Sequence, residues 1–173
     1  MFPAAASVEL VDVPFFPQTE YQCGPAALAT VLAHEGAAVT AESLVPAVYV
    51  EGLRGSLQPE LLGATRRHGF IPYVLPPDPE TLLAEVAAGR PVLVLQNLGL
   101  PRVPVWDYAV VVGFDRESER LILRSGKEER RLERAARFLR SWQRAERWAF
   151  LALMPGQIPA TARASGHVRP LAG

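Results

Sequence analysis

An α+β fold is predicted by three features of the 173-residue chain. Helical patterns fill the first half and short apolar runs of strand length fill the second. No regular strand–helix–strand alternation links them, so helices are expected to pack on an antiparallel sheet. No internal repeat is found, and one domain over residues 1–155 with a flexible tail or linker stub over 156–173 is expected.

The elements follow in order. Val8 to Val13 alternates and predicts a short strand, followed by the loop Pro14-Phe15-Phe16-Pro17. Gly24-Pro25 opens the apolar run Ala26 to Ala33, a buried helix with proline near its first turn. Thr40 caps a second helix, Ala41 to Val48. Pro59 starts a third, which stops near Gly69. Phe70 to Leu75 predicts a strand, and Asp78-Pro79 caps the helix Glu80 to Ala88, closed by Gly89. Pro91 to Gln96, Asp107 to Phe114 and Arg120 to Arg124 are strand-length apolar runs. Leu132 to Arg144 has helical spacing, and Trp148 to Met154 predicts the last strand.

Composition narrows the function. Hydrophobic residues make up 49% and charged residues 21%, the balance of a globular protein. Lys+Arg and Asp+Glu both number 18, so the net charge points to neither nucleic acid nor an anionic membrane as partner. No apolar run approaches the roughly 20 residues that span a bilayer. The first residues, Met1 to Ser7, lack the length and charge of a secretory signal, which gives the expectation of a cytoplasmic chain, or a periplasmic or secreted one where a leader precedes it. No Cys/His cluster has metal-ligand spacing and no glycine-rich phosphate loop follows a strand, so no metal or cofactor is expected.

The single cysteine excludes an internal disulfide, leaving Cys23 as packing or as a working thiol. Its context is Gln18-Thr19-Glu20-Tyr21-Gln22-Cys23-Gly24-Pro25-Ala26-Ala27. A cysteine at the mouth of a buried helix meets unpaired amide N–H groups and the positive end of the dipole, which favours thiolate. The same amides can donate to the oxyanion that forms when a thiolate attacks a carbonyl. Gln18, earlier on the loop, can fold back to add a side-chain donor. A buried cysteine is more often a small hydrophobe, and it is the surrounding residues that favour the thiol reading.

Gln-x4-Cys-Gly-Pro-Ala before an apolar helix resembles the papain-like clan, and more narrowly the bacteriocin-processing (double-glycine leader) peptidases, family thirty-nine of the cysteine peptidases. The resemblance implies a papain-like fold, a peptide or protein substrate, Cys23 as nucleophile and Gln18 in the oxyanion hole. It extends to Trp106-Asp107-Tyr108-Ala109-Val110-Val111-Val112-Gly113-Phe114-Asp115, which is similar to the family's His-Tyr-x-Val-Val-x-Gly-Tyr-Asp strand. Here Asp107 stands where the family has its histidine. Near the family's orienting Asp or Asn, on the next strand, the match is Ser125.

Two of three triad positions are thus replaced. Moving a proton from thiol to imidazole costs about 2.7 kcal/mol, and to an ordinary aspartate about 6 kcal/mol. The difference is worth two to three powers of ten in thiolate population, roughly. An imidazolium also stabilises a neighbouring thiolate, whereas a carboxylate repels it. His34 lies on the same helix as Cys23, about 16 Å along its axis, and cannot substitute. His68 reads as a solvated helix-end residue and His167 lies in the tail. Asp107 can equally be a strand-start carboxylate serving nearby N–H groups, and Ser125-Gly126 a turn. Glu128-Glu129-Arg130-Arg131 reads as a solvated charge run. Trp106, Trp142 and Trp148 read as core or groove wall.

Two functions remain from different classes. One is a peptidase acting through a Cys23 thiolate with Asp107 handling protons and activity impaired; the other is a degenerate peptide-binding domain of the same fold. A third reading is a packing domain that serves a neighbouring segment.

Overall fold

The computed structural model describes residues 1–5, 7–17, 22–53 and 55–165. Strand β1 (Ser7–Glu9) precedes helix α1 (Cys23–His34), whose first turn carries Pro25 where no intrahelical N–H is needed. Gly24 to Leu32 are all buried, as a helix apolar on every side must be. Helix α2 (Ala41–Val48) begins on a reciprocal cap: the Thr40 hydroxyl accepts from the Ser43 N–H at 3.1 Å, and the Ser43 hydroxyl accepts from the Thr40 N–H at 2.9 Å. A ribbon of β2 (Tyr49–Val50) and β3 (Gly55–Ser56) leads to α3 (Gln58–Arg67). That helix ends at His68, and Gly69 then takes a positive φ of 86° that costs glycine little.

The second half supplies most of the sheet. Strand β4 (Ile71–Val74) and helix α4 (Pro79–Ala87), capped by Asp78, come before the central strands β5 (Val92–Asn97), β6 (Trp106–Asp115) and β7 (Arg120–Ser125). Strand β8 (Glu128–Arg134), helix α5 (Ala135–Gln143), strand β9 (Ala149–Leu153) and helix α6 (Ala160–Ser165) complete the order. The strands run β4-β9-β5-β6-β7-β8, with β1 also on β6, and every pairing is antiparallel.

Helices cover both faces. Helices α1, α2 and α3 pack with Leu93, Leu95, Tyr108, Val110 and Val112 in one core. Helices α4 and α5 pack with Val92, Val94, Ala109 and Val111 in a second. An antiparallel sheet usually keeps one face wet and alternates. Burial on both sides explains why β5, β6 and β9 read as continuous apolar runs. Each fully buried large side chain, such as Trp142, Phe114 or Leu28, contributes about 1.5–3 kcal/mol.

Three expectations change. The strand read over Val8 to Val13 is only Ser7–Glu9, because β5 already occupies the Trp106 to Val111 stretch of that β6 edge and leaves β1 only Gly113 to Asp115. The helix read from Leu132 begins at Ala135, because the chain up to Arg134 is drawn into pairing with β7 and Leu132 faces out. That pairing also turns the charge run at 128–131 into an edge strand, whose charges block further pairing. Within the segment expected as a tail, Ile158 to Ala162 is docked on α4: the Ile158 carbonyl accepts from Arg90 at 3.1 Å, and the buried Glu85 accepts from the Thr161 N–H at 2.9 Å.

Candidate active site

Cys23 is the first residue of α1 and lines a cleft of about 880 Å³. One wall is the β3–α3 corner with Ser56 and Leu57; the other is Leu98, Val105, Trp106, Asp107 and the turn after α5. The two walls are tied beneath the cleft, where the Tyr108 hydroxyl donates to the Ser56 carbonyl at 3.0 Å. Gly24 is required here, since a Cβ on it would collide with the Ser56 side chain. That glycine is what lets β3 close against the head of α1.

The backbone N–H of Tyr108, of Gly24 and of Cys23 itself all donate toward the sulfur. They favour the thiolate, as the helix terminus was expected to do. Burial is the larger effect and acts the other way, and the Asp107 charge adds to it, so the Cys23 thiol lies above its ordinary pKa. The expectation of a lowered thiol pKa is therefore overturned by desolvation.

Asp107 sits at the start of β6, paired in register with Gln96 of β5. It is 8% exposed, and its carboxylate accepts from the Ser125 hydroxyl at 2.9 Å. Burial pushes its pKa up; the Ser125 bond and the Arg131 charge pull it down, and the Glu133 charge pushes it further up, for a net rise. Ser125 ends β7 immediately before Gly126, whose φ of 61° makes the turn into β8. Ser125 thus both precedes the turn and donates to Asp107. Arg131 approaches the same hydroxyl at 3.5 Å.

No histidine lines this cleft among the described residues. His34 is the last residue of α1, at the end opposite Cys23. His68 closes α3 and pairs through Nδ1 with the Ala64 carbonyl at 2.8 Å. His167 and Gln18 lie outside the described residues. Among the tryptophans, Trp142 is core, Trp106 is an exposed cleft wall, and Trp148 is half-buried against Phe150.

Sequence reasoning did not find the Tyr108 N–H, Ser56, or the polar layer behind Asp107. In that layer Gln96 Nε2 donates to Ser141 Oγ at 2.8 Å and to Glu133 at 3.3 Å. Glu133 and Ser141 lie 37 and 45 residues from Gln96 in the chain, so no local spacing announces them. Gln96 alone, a polar residue ending an apolar run, was a legible signal.

Chemically the cleft offers a sulfur under three N–H donors and a nearly buried carboxyl, with a wall of apolar side chains. No group of three or more potential metal ligands occurs among the described residues. No helix among them is long and apolar enough to cross a membrane.

Neither a family model nor a curated protein matches the sequence. Solved structures do match in shape. A protein described as a C39-like peptidase, from Bacillus anthracis, superposes with a TM-score of 0.72 at 19% identity, covering 88% of this chain and 100% of that one. The peptidase domain of Streptococcus ComA, a bifunctional ABC transporter involved in quorum sensing, gives a TM-score of 0.62 at 20% identity over 82% of this chain and 98% of that one. A double-glycine-motif protease from an AMS/PCAT transporter, solved with the leader peptide, gives 0.61 at 20% identity over 82% and 91%. The chain therefore has the papain-like α+β fold of these peptidase domains.

Proposed function

We propose that this chain is a relative of the double-glycine leader peptidases that binds a peptide in the cleft beside Cys23 without turning it over at an appreciable rate. The observation that carries this reading is the Asp107–Ser125 pair in the same cleft as Cys23, with Asp107 at the residue that the sequence resemblance aligns with the family's histidine. With burial and a neighbouring carboxyl both holding the proton on sulfur, the thiolate that would attack a carbonyl is scarce. Binding needs none of that chemistry. It needs a groove, and this one combines Leu53, Leu57, Leu95, Leu98 and Val105 with a few polar groups. A neighbour of the same fold that was solved with a leader peptide supports peptide as the ligand class.

A slow peptidase is the second reading, favoured by the three N–H groups directed at the sulfur. In that case the ionised Asp107 carboxylate takes the Cys23 thiol proton as the sulfur attacks the peptide carbonyl, and the Cys23 N–H and the Gln18 side chain hold the oxyanion. Asp107 returns that proton to the leaving amine, which leaves an acyl-enzyme for water to hydrolyse. Ser125 then orients the Asp107 carboxyl.

One experiment separates them. Wild type, Asp107→His and Cys23→Ala are incubated with double-glycine leader peptides, and binding and cleavage are followed together. Binding by all three with cleavage confined to Asp107→His is the expected result. Cleavage by wild type that disappears in Cys23→Ala would establish the peptidase instead, and binding by none would remove both readings.

A further inference from the structure

The β5–β6 connection carries an apolar surface that the cleft does not use up. Residues 100–106, Leu-Pro-Arg-Val-Pro-Val-Trp, are all exposed, and six of the seven are apolar. Leu100 and Val103 are each 67% exposed and Trp106 is 53% exposed. Apolar loops normally collapse onto the nearest core, since leaving such side chains in water is unfavourable relative to burying them. Here a built hairpin holds them out.

The hairpin is fixed from inside. Leu98 donates to the Val105 carbonyl at 2.8 Å, and Leu100 and Val103 exchange N–H bonds at 3.1 Å, so Pro101 and Arg102 form a two-residue tip. The buried Asn97 side chain accepts from the Gly99 and Val105 N–H groups at 2.9 and 3.0 Å and donates to the Leu100 carbonyl at 3.3 Å. Arg144 clamps the Asn97 carbonyl with two bonds, at 2.9 and 3.1 Å. A side chain on Gly99 would collide with the Val103 carbonyl, so the two arms can approach only there. This register puts Leu98, Leu100, Val103 and Val105 on one face, a stripe running from the cleft wall to the tip.

We propose that this hairpin tip docks the domain on a lipid surface. Three features of the hairpin favour lipid over a protein partner. The apex residue is Arg102, a guanidinium between two aliphatic flanks, which matches a phosphate headgroup above acyl chains. The stretch from Leu98 to Trp106 holds no acidic residue to oppose anionic lipid. Trp106, at the base, is the amphipathic ring that settles at the headgroup level. The zero net charge of the chain conceals this, because peripheral docking depends on the local composition of the inserted tip. Docking at this edge turns the mouth of the cleft toward the bilayer, since Leu98, Val105 and Trp106 belong to both surfaces.

The test is sedimentation of the full chain with vesicles of phosphatidylcholine and of phosphatidylcholine mixed with phosphatidylglycerol. Tryptophan emission is a second readout, which Trp106→Phe assigns to that ring. Wild type is expected in the pellet with a blue-shifted emission. Leu100→Asp combined with Val103→Asp should lower the bound fraction at least about tenfold, and Arg102→Ala should lower the preference for phosphatidylglycerol. Both are surface changes, so the unfolding temperature should stay put; if the double aspartate variant unfolds, the paired serine variant is read in its place. Wild type left in the supernatant with both vesicles overturns the proposal, as does a double variant that pellets like wild type. So does a wild-type dimer in light scattering that the double variant dissolves, which would make the hairpin a contact between copies.

Discussion

Two of the buried carboxyl groups, Glu85 and Asp107, sit in different company, and the contrast separates scaffold from site. Glu85 on α4 is 0% exposed, and its oxygens accept from the Ala160 N–H at 3.2 Å, the Thr161 N–H at 2.9 Å and the Thr161 hydroxyl at 2.8 Å, with Arg90 at 3.9 Å. Asp107 on β6 is almost as buried but accepts a side-chain bond from Ser125 and faces a cleft. A carboxylate surrounded by donors is an anchor, here joining α6 to α4. A carboxylate with few donors that lines a cleft is held for interaction, and burial is the main cause of its raised pKa.

The comparison breaks if the anchor proves dispensable. Glu85→Ala leaves two backbone N–H groups, a hydroxyl and Arg90 without their acceptor, so a stability loss of about 3 kcal/mol is expected. Thermal unfolding should register this as a fall on the order of 10 °C. On the site side, Asp107→His supplies the missing base. Iodoacetamide labelling of Cys23 at neutral pH should accelerate by about a hundredfold, with its pH midpoint moved down from a wild-type value above the ordinary thiol range.

Smaller changes sharpen the picture. Gly24→Ala forces the Ser56 side chain away from the head of α1, with an expected cost of about 2 kcal/mol by denaturant unfolding and a reduced affinity for peptide. Asp107→Asn removes the charge and keeps the shape. Because burial outranks the Asp107 charge among the causes at Cys23, alkylation should rise only about threefold. The same variant carries a stability signature. The folded pKa of Asp107 is raised, so its contribution to folding is complete below the unfolded pKa and is lost as pH rises through the folded one. Relative to wild type, Asp107→Asn should therefore gain stability in pH-dependent melts as pH rises from the ordinary carboxyl value of about 3.9 through the raised folded one.

Much of the architecture was legible along the chain because its signals are local. The Thr40 and Asp78 caps, the proline at the head of α1 and the positive-φ glycines Gly69 and Gly89 lie within a residue or two of the helix ends they predict. The strand at Val8 and the helix at Leu132 were misread in extent because the limits of both are set by competition for strand edges. Cys23 and Asp107 were legible as site candidates, while Glu133, Ser141 and the Tyr108 N–H were not.

The sequence by itself determined which residue heads the buried helix and the order of the main helices and central strands, since spacing and capping act over a few residues. Tertiary structure alone decided the upward shift of the Cys23 thiol and the outward set of the Leu100–Val103 tip. Each depends on which distant segments exclude water from a group or offer it a hydrogen bond, and those neighbours exist only once the sheet has formed.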